Sequence, residues 1–116
     1  MGLRQEKIAD QIRDVIASTL TGGQMTDPRL ESVTVTAVQV TADLQNAKVF
    51  FRVYDDRFRE DAESGMKSAS SYFRKKLAGQ LDVRRVPEIR LVYDESVENA
   101  ARIETILSQI PDTEEN

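Results

Sequence analysis

Seven cations crowd one stretch of this chain. Lys67, Arg74, Lys75, Lys76, Arg84, Arg85 and Arg90 fall between positions 67 and 90, where the only acids are Asp82 and Glu88. That local excess of five positive charges lies in a chain whose net charge is −4, so the remainder is strongly acidic. Guanidinium and ammonium groups neutralise phosphates, and each phosphate engaged adds to a salt-dependent affinity. Two readings are open for these cations: a surface for RNA backbone, or solvated faces with ion pairs to Asp82 or Glu88. Positions 74, 75 and 76 step around a helix, so they cannot all meet one partner.

Other chemistries are poorly supplied. The chain has no histidine and no cysteine. That removes the usual zinc sites, Ser-His-Asp triads, thiol nucleophiles and disulfides, and it suits a reducing cytosol. Five glycines form no phosphate-cradling loop. The acids Asp55, Asp56, Glu60, Asp61 and Glu63 could hold magnesium, but Arg57 and Arg59 stand among them and would compete with a cation. A solvated helix N-terminus is the simpler account of that patch. No enzyme activity, cofactor or metal is therefore expected. Among the aromatic residues, Tyr72 is the candidate for an exposed ring that stacks on bases. Phe73 fits a core stripe, and Tyr54 and Tyr93 stand at strand ends as core edges. Arg4 and Lys7 open the first helix as ordinary solvated cations, and Arg29 pairs with a nearby carboxylate to fix a turn.

The elements that must position these residues can be read from periodicity. Residues 4–20 carry Ile8, Ile12, Val15, Ile16 and Leu20 on one helical face. Gly22 and Gly23 end that helix, and TDPRL (26–30) turns the chain. VTVTAVQVT (33–41) alternates as a half-buried strand, with a slip at Ala37-Val38 that suggests a bulge. A short turn at 43–46 leads into AKVFFRVY (47–54), which predicts an antiparallel hairpin. From 59 to 80, Ala62, Met66, Ala69, Phe73 and Leu77 recur at helical spacing. Ser68-Ala69-Ser70-Ser71 interrupts that pattern with hydroxyl groups that compete for helical hydrogen bonds. This is either one helix with a weak patch or two helices meeting at a joint. IRLVY (89–93) is a third strand, and VENAARIETILSQI (97–110) a final amphipathic helix capped by Asp94-Glu95-Ser96. These elements predict one α+β domain over residues 1–110, a three-stranded sheet with helices on one face. The acidic tail PDTEEN (111–116) is expected to be disordered. No apolar run is long enough to span a membrane.

Four stretches, in order and at matching spacing, resemble one known family. They are RQEKIADQIRDVIASTL, TDPRL, VQVTADLQNAKVFFRV and RRVPEIRLVYDESVENAARIETIL. The family is ribosome-binding factor A, and the resemblance runs from about residue 4 to residue 107. It implies a type II KH-like fold with a kinked helix pair, at an Ala-x-Gly motif, in place of the Gly-x-x-Gly loop. Ala69, Ser70 and Ser71 match that kink. Ser71 stands where the family often has glycine, so a milder bend is expected, with Ser71 capping the second helix.

The resemblance also implies a role. It is that of a non-catalytic cytoplasmic factor, monomeric, without cofactor, metal, small-molecule substrate or membrane contact. Such a factor binds the small ribosomal subunit and its rRNA, assists late maturation, and matters in the cold. Lys67, Arg74, Lys75, Lys76, Arg84, Arg85 and Arg90 are the RNA-binding candidates. A KH-like module for other RNAs, or a protein-interaction adaptor using the acidic faces, are the alternatives.

Overall fold

The computed structural model describes residues 2–23, 25–81 and 83–109. The expected acidic tail and Ile110 lie outside them. The order is α1 (Leu3–Thr21), β1 (Val33–Val40), β2 (Asn46–Val53), α2 (Arg59–Gln80), β3 (Glu88–Tyr93) and α3 (Ser96–Ser108), with short 3-10 turns at Pro28–Leu30 and Asp56–Phe58. The three strands form one sheet in the order β1-β2-β3. β1 and β2 pair antiparallel as the short turn predicts, and β2 pairs parallel with β3 across the α2 crossover. The register slips between Val35 and Ala37, one residue before the predicted position.

Alternation sorts the sheet into two faces. Ala47, Val49, Phe51 and Val53 of β2, with Ile89 and Tyr93 of β3, are buried. Against them pack Ile8, Ile12, Val15 and Ile16 of α1 and Ala62, Met66, Ala69, Phe73 and Leu77 of α2, the stripes that the spacing predicts. Thr19, not Leu20, takes the last buried position of α1, and its hydroxyl donates to the Val15 carbonyl at 2.7 Å. Lys48, Phe50 and Arg52 of β2 point to the opposite face, which carries neither α1 nor α2.

Two expectations about helices are corrected. The stretch Ser68 to Ser71 lies inside one uninterrupted helix, so the two-helix joint with Ser71 as a cap does not form. Among the described residues outside glycine, only Leu44 has positive φ. A serine costs a few tenths of a kcal/mol in a helix interior, about 0.5 relative to alanine. Burying Met66, Phe73 and Leu77, each 0% exposed, is worth roughly 1.5–3 kcal/mol apiece, so packing overrides the weak patch. The other correction concerns α3, which does not join α1 and α2 on the sheet. None of its residues is buried, and Val97, Ile103, Ile106 and Leu107 are all more than half exposed. The helix-covered face is already filled, so α3 leaves from the end of β3. Its first turn is held by Asp94, which accepts from the Ser96 N–H at 2.9 Å, and by an Arg52–Glu98 ion pair at 3.7 Å. Among the described residues no helix is long and apolar enough to cross a membrane.

The TDPRL turn works as expected. Asp27 accepts from the backbone N–H of Arg29 and pairs with its guanidinium at 2.6 Å. The turn packs against α2 at Gly65.

Candidate nucleic-acid interface

α2 runs antiparallel to β3, and this separates charge along the molecule. Near its N-terminus Arg59 reaches the far end of β3, with its guanidinium carbon 4.1 Å from the Tyr93 ring centroid. Its guanidinium also binds Glu95 at 2.8 Å and Glu63 at 3.4 Å. Arg57 is bound by Asp55 at 2.7 Å, and that contact holds the Asp55 carboxyl below the ordinary range. The cations of this end are thus neutralised by its own acids, and no cluster of three or more ligating side chains lies among the described residues. Tyr54, expected at the core edge, is 97% exposed here, whereas Tyr93 is buried with Phe51 against it edge-on.

The start of β3 has the opposite character. Arg84 and Arg85 project from the loop after α2 into a depression shared with Arg4 of α1, the hairpin turn 43–46, and Glu88. Around the corner, Lys48 and Arg90 line a second depression with Gln39, Asn46 and again Glu88. Arg74 approaches Glu88 from α2 at 3.9 Å, with both side chains largely exposed. Six cations therefore gather around two acids among the described residues, Glu88 and Asp43. Arg74 is the only one of them ion-paired among the described residues. Asp82 lies outside those residues. Asp43, on the rim, is kept ionised by the Thr41 hydroxyl and then by the Gln45 N–H.

Of the seven predicted contacts, Arg74, Arg84, Arg85 and Arg90 come together at this end. Lys67 does not join them; it sits further toward the α2 N-terminus beside Glu63, Ser70 and Leu91. Lys75 is exposed on α2, and Lys76 lies over the Tyr72 ring at 5.6 Å. Tyr72 is half-buried, and Phe73 is fully buried as expected. Sequence reasoning missed Lys48 and discounted Arg4. The polar position of Lys48 in the β2 alternation was a signal, but its pairing with Arg90 needs the strand register. Fork-shaped guanidinium groups gathered in this way match phosphate oxygens bidentately.

The family model for ribosome-binding factor A matches residues 4–107. The chain belongs to the ribosome-binding factor A family. A relative from Pelobacter propionicus is 42% identical over 111 residues, covering 95% of this chain and 90% of its own length. The crystal structure of ribosome-binding factor A from Thermus thermophilus superposes with a TM-score of 0.69 at 22% identity, over 79% of this chain and 97% of that one. A Thermus thermophilus ribosome-binding factor A model, fitted into the cryo-EM map of a 30S complex, matches with a TM-score of 0.62 at 23% identity. It covers 75% of this chain and 91% of its own. The expected KH-like α+β fold is thus that of the ribosome-binding factor A structures, with three α-helices among the described residues where the helix pair implied by the resemblance would give four.

Proposed function

We propose that this protein is a non-catalytic assembly factor that docks on the small ribosomal subunit and assists its late maturation in the cytoplasm. The observation that carries the reading is the convergence of Arg4, Lys48, Arg74, Arg84, Arg85 and Arg90 on one end of the sheet. Family membership, and a structural relative fitted into a 30S complex, supply the partner. The docking is electrostatic: rRNA phosphates take the place of missing counter-ions at the basic end. The other end, where Asp55, Asp56, Glu60, Asp61 and Glu63 outnumber Arg57 and Arg59, repels RNA and orients the encounter. Lys67 contributes less because it lies toward the other end of α2, and Lys75 and Lys76 because they line neither depression.

Cosedimentation with isolated small subunits at two salt concentrations tests this. If all six cations engage phosphates, affinity falls about a thousandfold between 50 and 200 mM salt. Replacing Arg84 and Arg85 together with Glu abolishes cosedimentation while circular dichroism stays native. Retained binding by that folded variant refutes the docking surface. Loss of binding after changing Lys75 and Lys76 alone, with Arg84 and Arg85 intact, moves the surface to α2.

A further inference from the structure

The sheet face turned away from α1 and α2 carries a pattern the basic end does not explain. Four cross-strand rows can be followed on it. Asn46 and Glu88 form the first, and Glu88 is ion-paired to Arg74 rather than to a cation of this face. Gln39, Lys48 and Arg90 are in register as one row, and Ala37, Phe50 and Val92 as the next. Thr34 and Arg52 follow. Lys48 and Arg90 are exposed immediate neighbours of like charge, without an ion pair among the described residues. Like charges directly opposite each other destabilise a sheet. An anion bound between them removes that cost. Two residues along β2, on the same face, Phe50 stands half-buried between Lys48 and Arg52, with Ala37 and Val92 beside it. At the far side Arg52 is already matched by Glu98. The uncompensated charge is therefore at one edge of the aromatic row only.

We propose that this open face binds single-stranded RNA, with Phe50 stacking on a base and Lys48 and Arg90 taking the flanking phosphates. An aromatic ring on an open sheet, bordered by cations, offers what a single strand presents: a planar base and a phosphate within one nucleotide. The bases of a duplex are already stacked and cannot reach the ring. Charge complementarity also favours RNA over a protein: one ring and two small side chains make a small apolar patch, and the unneutralised pair beside it calls for a polyanion. The inference rests on the assembly-factor reading only in taking RNA as the ligand, and it adds a contact on a face that Arg84 and Arg85 do not occupy.

The test is fluorescence anisotropy of the full chain with a labelled ten-nucleotide uridylate strand and with an RNA duplex of the same length, across 50–200 mM salt. The single strand is expected to bind more tightly than the duplex. Phe50→Leu weakens it about tenfold, and Phe50→Tyr, which keeps a stacking ring, restores it. Lys48→Ala and Arg90→Ala each lower the slope of log affinity against log salt by about 0.7. Amide resonances of residues 37–50 and 90–92 shift on titration. Should Phe50→Leu unfold, the tyrosine variant, the two alanine variants and the resonance map still decide. The proposal is overturned if the strand does not bind at 50 mM salt, if duplex and strand bind alike, or if the shifts stay within α2 and residues 83–86. Unchanged affinity and slope in Lys48→Ala and Arg90→Ala overturn it too. Loss of subunit binding in the Arg84 and Arg85 variant, with none in Lys48→Ala or Phe50→Leu, removes the open-face site and leaves the assembly-factor reading standing.

Discussion

Gly65 lies in the middle of α2, where glycine is a poor residue, and the close approach of the TDPRL turn explains it. A methyl group at this position would lie 3.0 Å from the Arg29 Cβ and 3.0 Å from the Leu30 Cδ2. Carbon atoms prefer roughly 3.5–4.0 Å. The turn cannot simply give way. Leu30 is 4% exposed within the core, and Arg29 is tied to Asp27 through both its backbone and its guanidinium. Helix propensity favours Gly65→Ala by about 1 kcal/mol. Overpacking opposes it by about 1–3 kcal/mol. The expected net result is a loss of about 1 kcal/mol, or a Tm about 4 °C lower for a domain of this size. Gly79→Ala supplies the control. It lies in the same helix, and a methyl group there meets nothing within 4 Å, so only the propensity gain remains. Urea and thermal unfolding of both variants, followed by circular dichroism, should move in opposite directions. If Gly65→Ala stabilises as much as Gly79→Ala, the close approach does not constrain the position and the reasoning fails.

Two further predictions concern α2 and the acids. Since Ser71 is an exposed interior position of a continuous helix, Ser71→Gly should cost about 0.5 kcal/mol in urea unfolding; a gain would show that a break forms there. Asp94 is held below its ordinary value of 3.8 by the Ser96 and Thr36 side chains, and Asp27 by the Arg29 side chain. A depressed carboxylate contributes stability that is complete above the unfolded value and is lost as pH falls through the folded one. The Tm should therefore drop below about pH 4, and Asp94→Asn should flatten part of that drop. An unchanged profile in Asp94→Asn would show that this carboxylate does not hold the start of α3.

The charge separation itself follows from chain direction. α2 and β3 run antiparallel, so residues close in sequence around 84–90 meet the C-terminal half of α2, while Arg59 is carried to the end of β3. Arg57 and Arg59 are consumed by acids at that end. Among the described residues the basic end is left with two acids, Glu88 and Asp43, to serve six cations.

Much of this was written in local pattern. Three-four spacing specified α1 and the buried stripe of α2, and alternation specified which residues of β2 face the core, because burial follows the period of each element. The Asp27–Arg29 turn was legible for the same reason: its partners are two residues apart. What local pattern could not supply was anything that depends on which elements become neighbours. The serines at 68, 70 and 71 argued for a break, yet burial of Met66, Phe73 and Leu77 against the sheet kept the helix whole. The apolar stripe of α3 argued for packing, yet α1 and α2 had already filled the face it would have used. Composition and spacing determined that there is one α+β domain with a cationic segment, and the family resemblance implied that it is KH-like. Only the parallel pairing of β2 with β3 set Lys48 beside Arg90, and only the crossover drew Arg4, Arg74, Arg84 and Arg85 to the same end, because strand register and helix direction are set by long-range contacts.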